Sequence, residues 1–176
     1  MIYSPREDSY LLEREVKKYA KNKSFLDIGC GTGIQGKAAI KAGVKSVLFS
    51  DINEEAVKEL KSQGYNAIQS DLFSNIKEKF DLIAFNPPYL PEDKREDEES
   101  KLATTGGKKG DEIIIKFLRQ AKSHLNENGI ILLVVSSLTP KSRIAKLLQK
   151  QKMKKEILSE EKFFMEKLEV WKLSFR

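Results

Sequence analysis

Phe25-Leu26-Asp27-Ile28-Gly29-Cys30-Gly31-Thr32-Gly33 is a short apolar strand that runs without a spacer into a glycine-rich turn. Glycines there let the backbone bend sharply and approach a ligand closely, and a helix starting directly afterwards points its N–H groups at that ligand. A second apolar segment, residues 47–49, leads to Asp51, which stands 20 residues beyond Gly31. A carboxylate at that place is set to accept both hydroxyls of an adenosine ribose. Two more apolar segments with β character, residues 80–85 and 130–135, alternate with stretches of helical spacing. The alternation predicts an α/β fold, a doubly wound and mostly parallel sheet covered by helices.

Local signals extend the pattern in both directions. Ser4, Pro5 and Glu7 fit a capping box with proline in the first turn, and Leu12, Val16, Tyr19 and Ala20 recur at helical spacing, so a helical segment within residues 1–22 should precede the first strand. Asn53 should cap a helix that turns Ala56, Val57 and Leu60 inward and ends at a left-handed Gly64. A weaker strand at residues 66–70 follows. Asp111 should cap a helix with Ile114, Phe117, Leu118, Ala121 and Leu125 on one face, and Asn128-Gly129 should turn the chain into the next strand. Residues 91–110 are polar, charged and rich in Gly and Thr, which predicts a long functional loop within one domain spanning 1–176. The tail, residues 154–175, should add two strands, the last (Leu168, Val170, Trp171, Leu173, Phe175) antiparallel at the far edge.

Composition narrows the chemistry. One cysteine and one histidine allow no internal disulfide and predict no metal site. The longest apolar run, residues 130–135, falls far short of a membrane span, so a soluble cytoplasmic protein is expected. The net charge of +6 favours acidic partners through the long-range field, while the lysines and Arg143 within residues 141–155 are expected to form a solvated helix face.

The carboxylates choose between ligands. Gly31, Gly33 and Gly36 satisfy G-x-G-x-x-G, the dinucleotide fingerprint. Asp27, two residues before the first glycine, argues against it: a pyrophosphate would be repelled there, whereas the methionine ammonium of S-adenosylmethionine would be attracted. Asp71, after the third strand, is placed to accept from an adenine amino group, with Leu72 beside it for the ring. Cys30 is a small residue in a tight loop, with nothing nearby to hold a thiolate.

The fourth strand delivers Asn86-Pro87-Pro88-Tyr89 at its carboxyl end, where ligands bind in open α/β sheets. Prolines carry no N–H, so this turn presents acceptors only: the Asn86 side-chain oxygen and the Pro87 carbonyl. Two acceptors at one point suit a planar NH2 group. Gripping both hydrogens aims the nitrogen at a sulfonium methyl and stabilises the positive charge that grows there. Tyr89 offers an aromatic wall.

The D-x-G-C-G-T-G loop joined to N-P-P-Y resembles the HemK-like N5-glutamine methyltransferases, which modify the Gly-Gly-Gln loop of peptide-chain release factors. Tyr3-Ser4-Pro5-Arg6-Glu7-Asp8-Ser9 resembles the opening of that family's short archaeal and eukaryotic branch; the extra N-terminal helical domain of bacterial members is not expected here. The resemblance implies a class I S-adenosylmethionine-dependent fold, Rossmann-like, with seven strands and an antiparallel last strand. It also implies that Ser9, Asp27, Gly29, Cys30, Gly31, Gly33, Asp51, Ile52, Asp71, Leu72 and Asn86 bind S-adenosyl-L-methionine, leaving S-adenosyl-L-homocysteine as product. Asn86, Pro87 and Tyr89 would be catalytic. Asn86, Pro87, Pro88, Tyr89, Gly106 and Gly107 would meet the substrate, although the glycines of the 106–110 segment can equally be read as giving flexibility alone. The short branch implies a small zinc-binding activator subunit; the edge strand of residues 65–70 can equally be read as its site of strand addition or as an ordinary solvent-facing edge.

Three rivals stay open at this level. An adenine N6 or guanine N2 methyltransferase presents the same two hydrogens, but the sequence has little room for a domain that reads or flips a base. A protein lysine methyltransferase offers a non-planar amine. A catalytically silent cofactor-binding scaffold would not need an intact acceptor turn. His124, near a predicted helix end, is expected to serve that end and not catalysis.

Overall fold

The computed structural model describes residues 5–88 and 105–175; Ser4, Tyr89 and most of the 91–110 loop lie outside the described residues. The elements follow in the order α1 (Glu7–Tyr19), β1 (Ser24–Ile28), α2 (Ile34–Lys41), β2 (Ser46–Asp51), α3 (Glu54–Ser62), β3 (Ala67–Gln69), β4 (Phe80–Phe85), α4 (Glu112–Ala121), β5 (Leu125–Ser136), α5 (Ser142–Lys150), β6 (Met153–Lys162) and β7 (Lys167–Phe175), with a 3-10 turn at Lys122–His124 between α4 and β5. The seven strands form one sheet in the order β3-β2-β1-β4-β5-β7-β6. The first five pair in parallel, and β7 pairs antiparallel with both β5 and β6.

The middle strands are apolar on both faces because helices cover both. Leu26, Ile28, Ile83 and Phe85 face α4 and α5 through Ile114, Phe117, Leu118, Ile144 and Leu148. Phe25, Leu82 and Ala84 face α1 and α2 through Leu11, Leu12, Val16, Ala38 and Ala39. Strand order reverses between β1 and β4, and register sets Ile28 beside Ser50 on one side and Phe85 on the other. The residues that leave these strands therefore start side by side, in the crevice where such sheets take ligands. No helix among the described residues is long and apolar enough to cross a membrane.

Several local expectations hold. Asn53 Oδ1 accepts from the Glu55 N–H at 2.9 Å, Ala56, Val57 and Leu60 are buried, and Gly64 is left-handed at φ 85°. Of the basic residues in 141–155, Arg143, Lys146 and Lys150 lie on an exposed face of α5, whereas Lys152 follows the helix with φ 57° and Lys154 and Lys155 belong to β6, because the chain turns into a strand there.

Others need correction. The N-cap of α1 is Arg6, whose N–H donates to Ser9 Oγ, so Pro5 precedes the helix and does not sit in its first turn. Asp111 stands at the N-cap of α4 but makes no capping bond: burial draws its carboxylate to the Arg143 guanidinium at 3.0 Å. Leu125 leaves the helix face for β5, and Asn128 takes its φ of 62° inside that strand where pairing with β4 is irregular. The last strand is not the edge. β7 inserts between β5 and β6, because Val170, Trp171 and Leu173 are apolar enough to be buried from both sides, whereas β6 is mostly charged.

Candidate functional site: a carboxylate rim and an acceptor turn

The rim is built where β1 to β4 end. Gly33 adopts φ 79°, and a Cβ on Gly36 would stand 2.1 Å from Phe49 Cε1, so α2 can lie this close to the sheet only without side chains there. That close approach brings the Gly36 N–H to Asp27 Oδ2 at 2.9 Å. Burial pushes the Asp27 carboxyl up to about 7; the Gly36 hydrogen bond opposes this and the nearby Asp51 charge adds to it. Such a group is poised to ionise when a cation arrives. Burial, with the charges of Asp27 and Asp51, pushes the Cys30 thiol far above its usual range, so it is no nucleophile.

Asp51 is held by two backbone donors, Gly31 N–H to Oδ2 and Asn53 N–H to Oδ1, both at 2.8 Å. Its remaining lone pairs are thereby oriented at a half-buried position. Ile52 beside it is 50% exposed, an apolar surface next to the place expected for a ribose.

Asp71 is exposed and already engaged, its Oδ2 taking a hydrogen bond from Lys116 of α4. An exposed pair of this kind contributes about 1 kcal/mol or less and is readily exchanged for another donor. Leu72 is buried in the core against the α4 side and holds a left-handed φ of 51°, stabilised by the Ser70 hydroxyl donating to its carbonyl at 2.8 Å. Non-glycine residues adopt that conformation at a cost, and such strain gathers at functional turns.

Ser9 is buried, and its hydroxyl donates to Asp8 Oδ1 at 3.2 Å. Its carbonyl accepts from Gln35 Nε2 at 2.9 Å, which ties the start of α1 to the start of α2 beside the glycine loop. Gln35 escaped the sequence reading. It is buried with Oε1 unpartnered, and the only signal for it was an uncharged polar side chain between Ile34 and Gly36 at the start of α2.

At the end of β4, Pro87 is buried, and Asn86 is half-buried with its Oδ1 enclosed and without a partner among the described residues. An enclosed acceptor lacking a donor costs about 1–3 kcal/mol, a cost that a ligand N–H would relieve if the turn opened to it. Gly106 is buried against the same turn: a Cβ there would lie 2.8 Å from the Pro88 carbonyl oxygen. The 106–110 segment is pinned as well as adjacent. Ile113 N–H donates to the Gly106 carbonyl, Gly110 N–H to the Gly107 carbonyl and Lys109 N–H to the Glu112 carboxylate. His124 is remote, stacked on Phe73 at 4.4 Å at the amino end of β5.

Residues 7–165 match the family model described as the methyltransferase small domain. The chain belongs to this methyltransferase family. It is 38% identical over 183 residues to a candidate protein N5-glutamine methyltransferase of Methanocaldococcus jannaschii, covering 98% of this chain and 92% of that one. A release factor glutamine methyltransferase of Borreliella burgdorferi is 34% identical over 149 residues, covering 75% of this chain and 52% of its own length, so this methyltransferase spans about half of that relative. Among solved structures, the Mtq2–Trm112 complex of E. cuniculi, described as responsible for methylating the termination factor eRF1, superposes with a TM-score of 0.78 at 26% identity over 99% of both chains.

Proposed function

We propose that this methyltransferase uses S-adenosyl-L-methionine to methylate the side-chain amide nitrogen of a glutamine in a protein, specifically the Gly-Gly-Gln segment of a peptide-chain release factor. The observation that carries the reading is the enclosed, unpartnered Asn86 Oδ1 on a turn whose next two residues have no N–H. The names of the archaeal and Borreliella relatives point the same way.

The residues present fit the cofactor. Asp27 would meet its ammonium, Asp51 its ribose hydroxyls and Asp71 its adenine amino group, with Ile52 and Leu72 against the ring and the backbone of Gly29, Cys30, Gly31 and Gly33 along the methionine. Ser9 would close the site from above through its link to Gln35. The bound cofactor supplies an electrophilic methyl group on a sulfonium sulfur.

Everything else is positioning. Asn86 Oδ1 and the Pro87 carbonyl accept the two amide hydrogens, fix the NH2 plane and stabilise the positive charge that grows on nitrogen. The acceptors keep hold of the proton that nitrogen must lose until water removes it. Pro88 and Tyr89 would wall the amide, and Gly106, packed against Pro88, and Gly107 would meet the substrate.

The resemblance to the Mtq2–Trm112 complex supports an activator subunit that binds this chain, and β3, an edge strand, is the natural place for strand addition. A zinc ion in that subunit belongs to the same proposal.

Mass spectrometry of a co-expressed release factor, with and without the enzyme, tests the function. A gain of one methyl on the Gly-Gly-Gln glutamine is expected. An unmodified glutamine beside a methylated RNA base would replace the reading with that of a nucleic-acid amino methyltransferase.

A further inference from the structure

The β6–β7 hairpin turns through Phe163-Phe164-Met165-Glu166, where Phe164 is 100% and Met165 80% exposed. The tip is well held. Phe163 N–H donates to the Glu166 carbonyl and Ser137 N–H to the Lys167 carbonyl, each at 2.7 Å, while Lys167 N–H donates to Ser137 Oγ at 2.9 Å and Ser136 Oγ donates to the Glu166 carboxylate. The hairpin is thus braced against the exit of β5. A braced turn that offers apolar side chains to solvent loses little freedom when something covers them.

Register locates the tip relative to the acceptor turn. Phe85, the residue before Asn86, pairs with Leu133, and Ser136 pairs with Leu168. At about 3.3 Å per residue, the path from Leu133 up β5 and on to Met165 rises roughly 20 Å above the level of Phe85, and β7 lies two strand spacings, about 10 Å, to the side. The tip therefore stands over the same rim as Asn86, on the flank away from β3.

Charge decides what kind of surface fits. Lys167 is paired with Glu160 and Glu169, and Arg14 with Glu161, which leaves exposed Lys162 as the one uncompensated cation beside the tip among the described residues. Phosphate backbones and anionic lipid surfaces are drawn to clusters of free cations. An aromatic and a thioether side by side suit an apolar pocket on a protein.

We propose that the Phe164–Met165 tip docks the folded protein that carries the target glutamine, at a pocket beside the target loop. The proposal rests on the reading of the site as a protein glutamine methyltransferase. A five-residue peptide centred on the glutamine reaches only about 7 Å to either side, so it fills the acceptor turn without touching the tip.

The test compares Phe164→Ser/Met165→Ser with the wild type in the enzyme's active form, on the intact release factor and on such a peptide. For the intact protein, KM should rise between about tenfold and a hundredfold with kcat unchanged, and Phe164→Leu/Met165→Leu should restore it. Peptide kinetics should not move. An unchanged KM for the protein, or an equal loss on the peptide, overturns the proposal, as does a wild-type dimer in sedimentation that the double variant abolishes without a change in KM. Peptide methylation by the wild type separates the two failures: where it persists, only the docking proposal falls; where wild type modifies neither substrate, the glutamine reading falls with it.

Discussion

Gly106 is packed against Pro88 so closely that a Cβ would stand 2.8 Å from the Pro88 carbonyl oxygen and 2.4 Å from that of Gly110. Backbone atoms cannot yield as a side-chain end would. Gly106→Ala is therefore expected to displace the acceptor turn, lowering kcat/KM by about tenfold or more, since small misplacements of reacting groups are costly. Cofactor affinity, read by calorimetry, should stay near wild type because the carboxylate rim is untouched. Wild-type turnover in the variant would remove Gly106 from the site.

On the proposed function, Asn86→Ala removes one of the two acceptors that hold the amide. A decrease in kcat of about 100-fold to 1,000-fold is expected, the scale for losing one group that stabilises developing charge. Cofactor affinity should fall by less than about tenfold, because in the proposed site Asp27 and Asp51 supply the charged contacts. Radiolabel transfer and calorimetry on the same preparation separate the two effects.

Asp27 should make cofactor binding depend on pH. Its carboxyl sits at about 7 in the ligand-free fold against an ordinary 3.8, so between those values the folded chain holds a proton that the unfolded chain has lost. Stability of the ligand-free protein then falls as pH rises from about 4 to about 7. Binding an ammonium requires the carboxylate, so affinity should rise toward pH 7 by up to about tenfold per unit and flatten above it. Calorimetry at pH 6 in two buffers of different ionisation enthalpy should show close to one proton released, and Asp27→Asn should abolish that release.

Glu169 anchors β7 with the opposite sign. Burial resists its ionisation, yet hydrogen bonds from Lys167, Trp171 and Lys141 outweigh burial and hold the carboxyl at about 2, below the ordinary 4.5. The stabilisation is complete above about 4.5 and is lost as pH falls toward 2. Glu169→Gln should cost about 2 kcal/mol at pH 7 in chemical denaturation, with the gap closing across that acid window. A gap that persists at pH 2 would mean that packing, not charge, is what the substitution disturbs.

Much of the fold was legible because its signals are local. The cap at Asn53, the left-handed Gly64 and the apolar runs 82–85 of β4 and 130–135 of β5 each depend on residues within one turn or one strand. The misreadings have one cause, competition from distant partners. Asp111 reads as a helix cap until Arg143, 32 residues later, takes its carboxylate, and β7 reads as an edge until β6 folds back over it. The lack of N–H groups after Asn86 was visible in Pro87-Pro88 because it is a covalent fact. Gln35 was not, because its importance lies in reaching the Ser9 carbonyl across 26 residues.

By itself the sequence determined which groups stand at the strand ends: carboxylates at Asp27, Asp51 and Asp71, and an Asn86 carboxamide followed by two residues without an N–H. Those properties belong to side-chain types and to proline, and they survive whatever the chain does in space. Tertiary structure alone decided that Asp27 is buried enough to hold its proton near neutrality, that Gly106 touches Pro88, and that Phe164 and Met165 stand bare above the rim. Desolvation, close approach and exposure are properties of what surrounds a residue, and those surroundings are assembled from segments far apart in the chain.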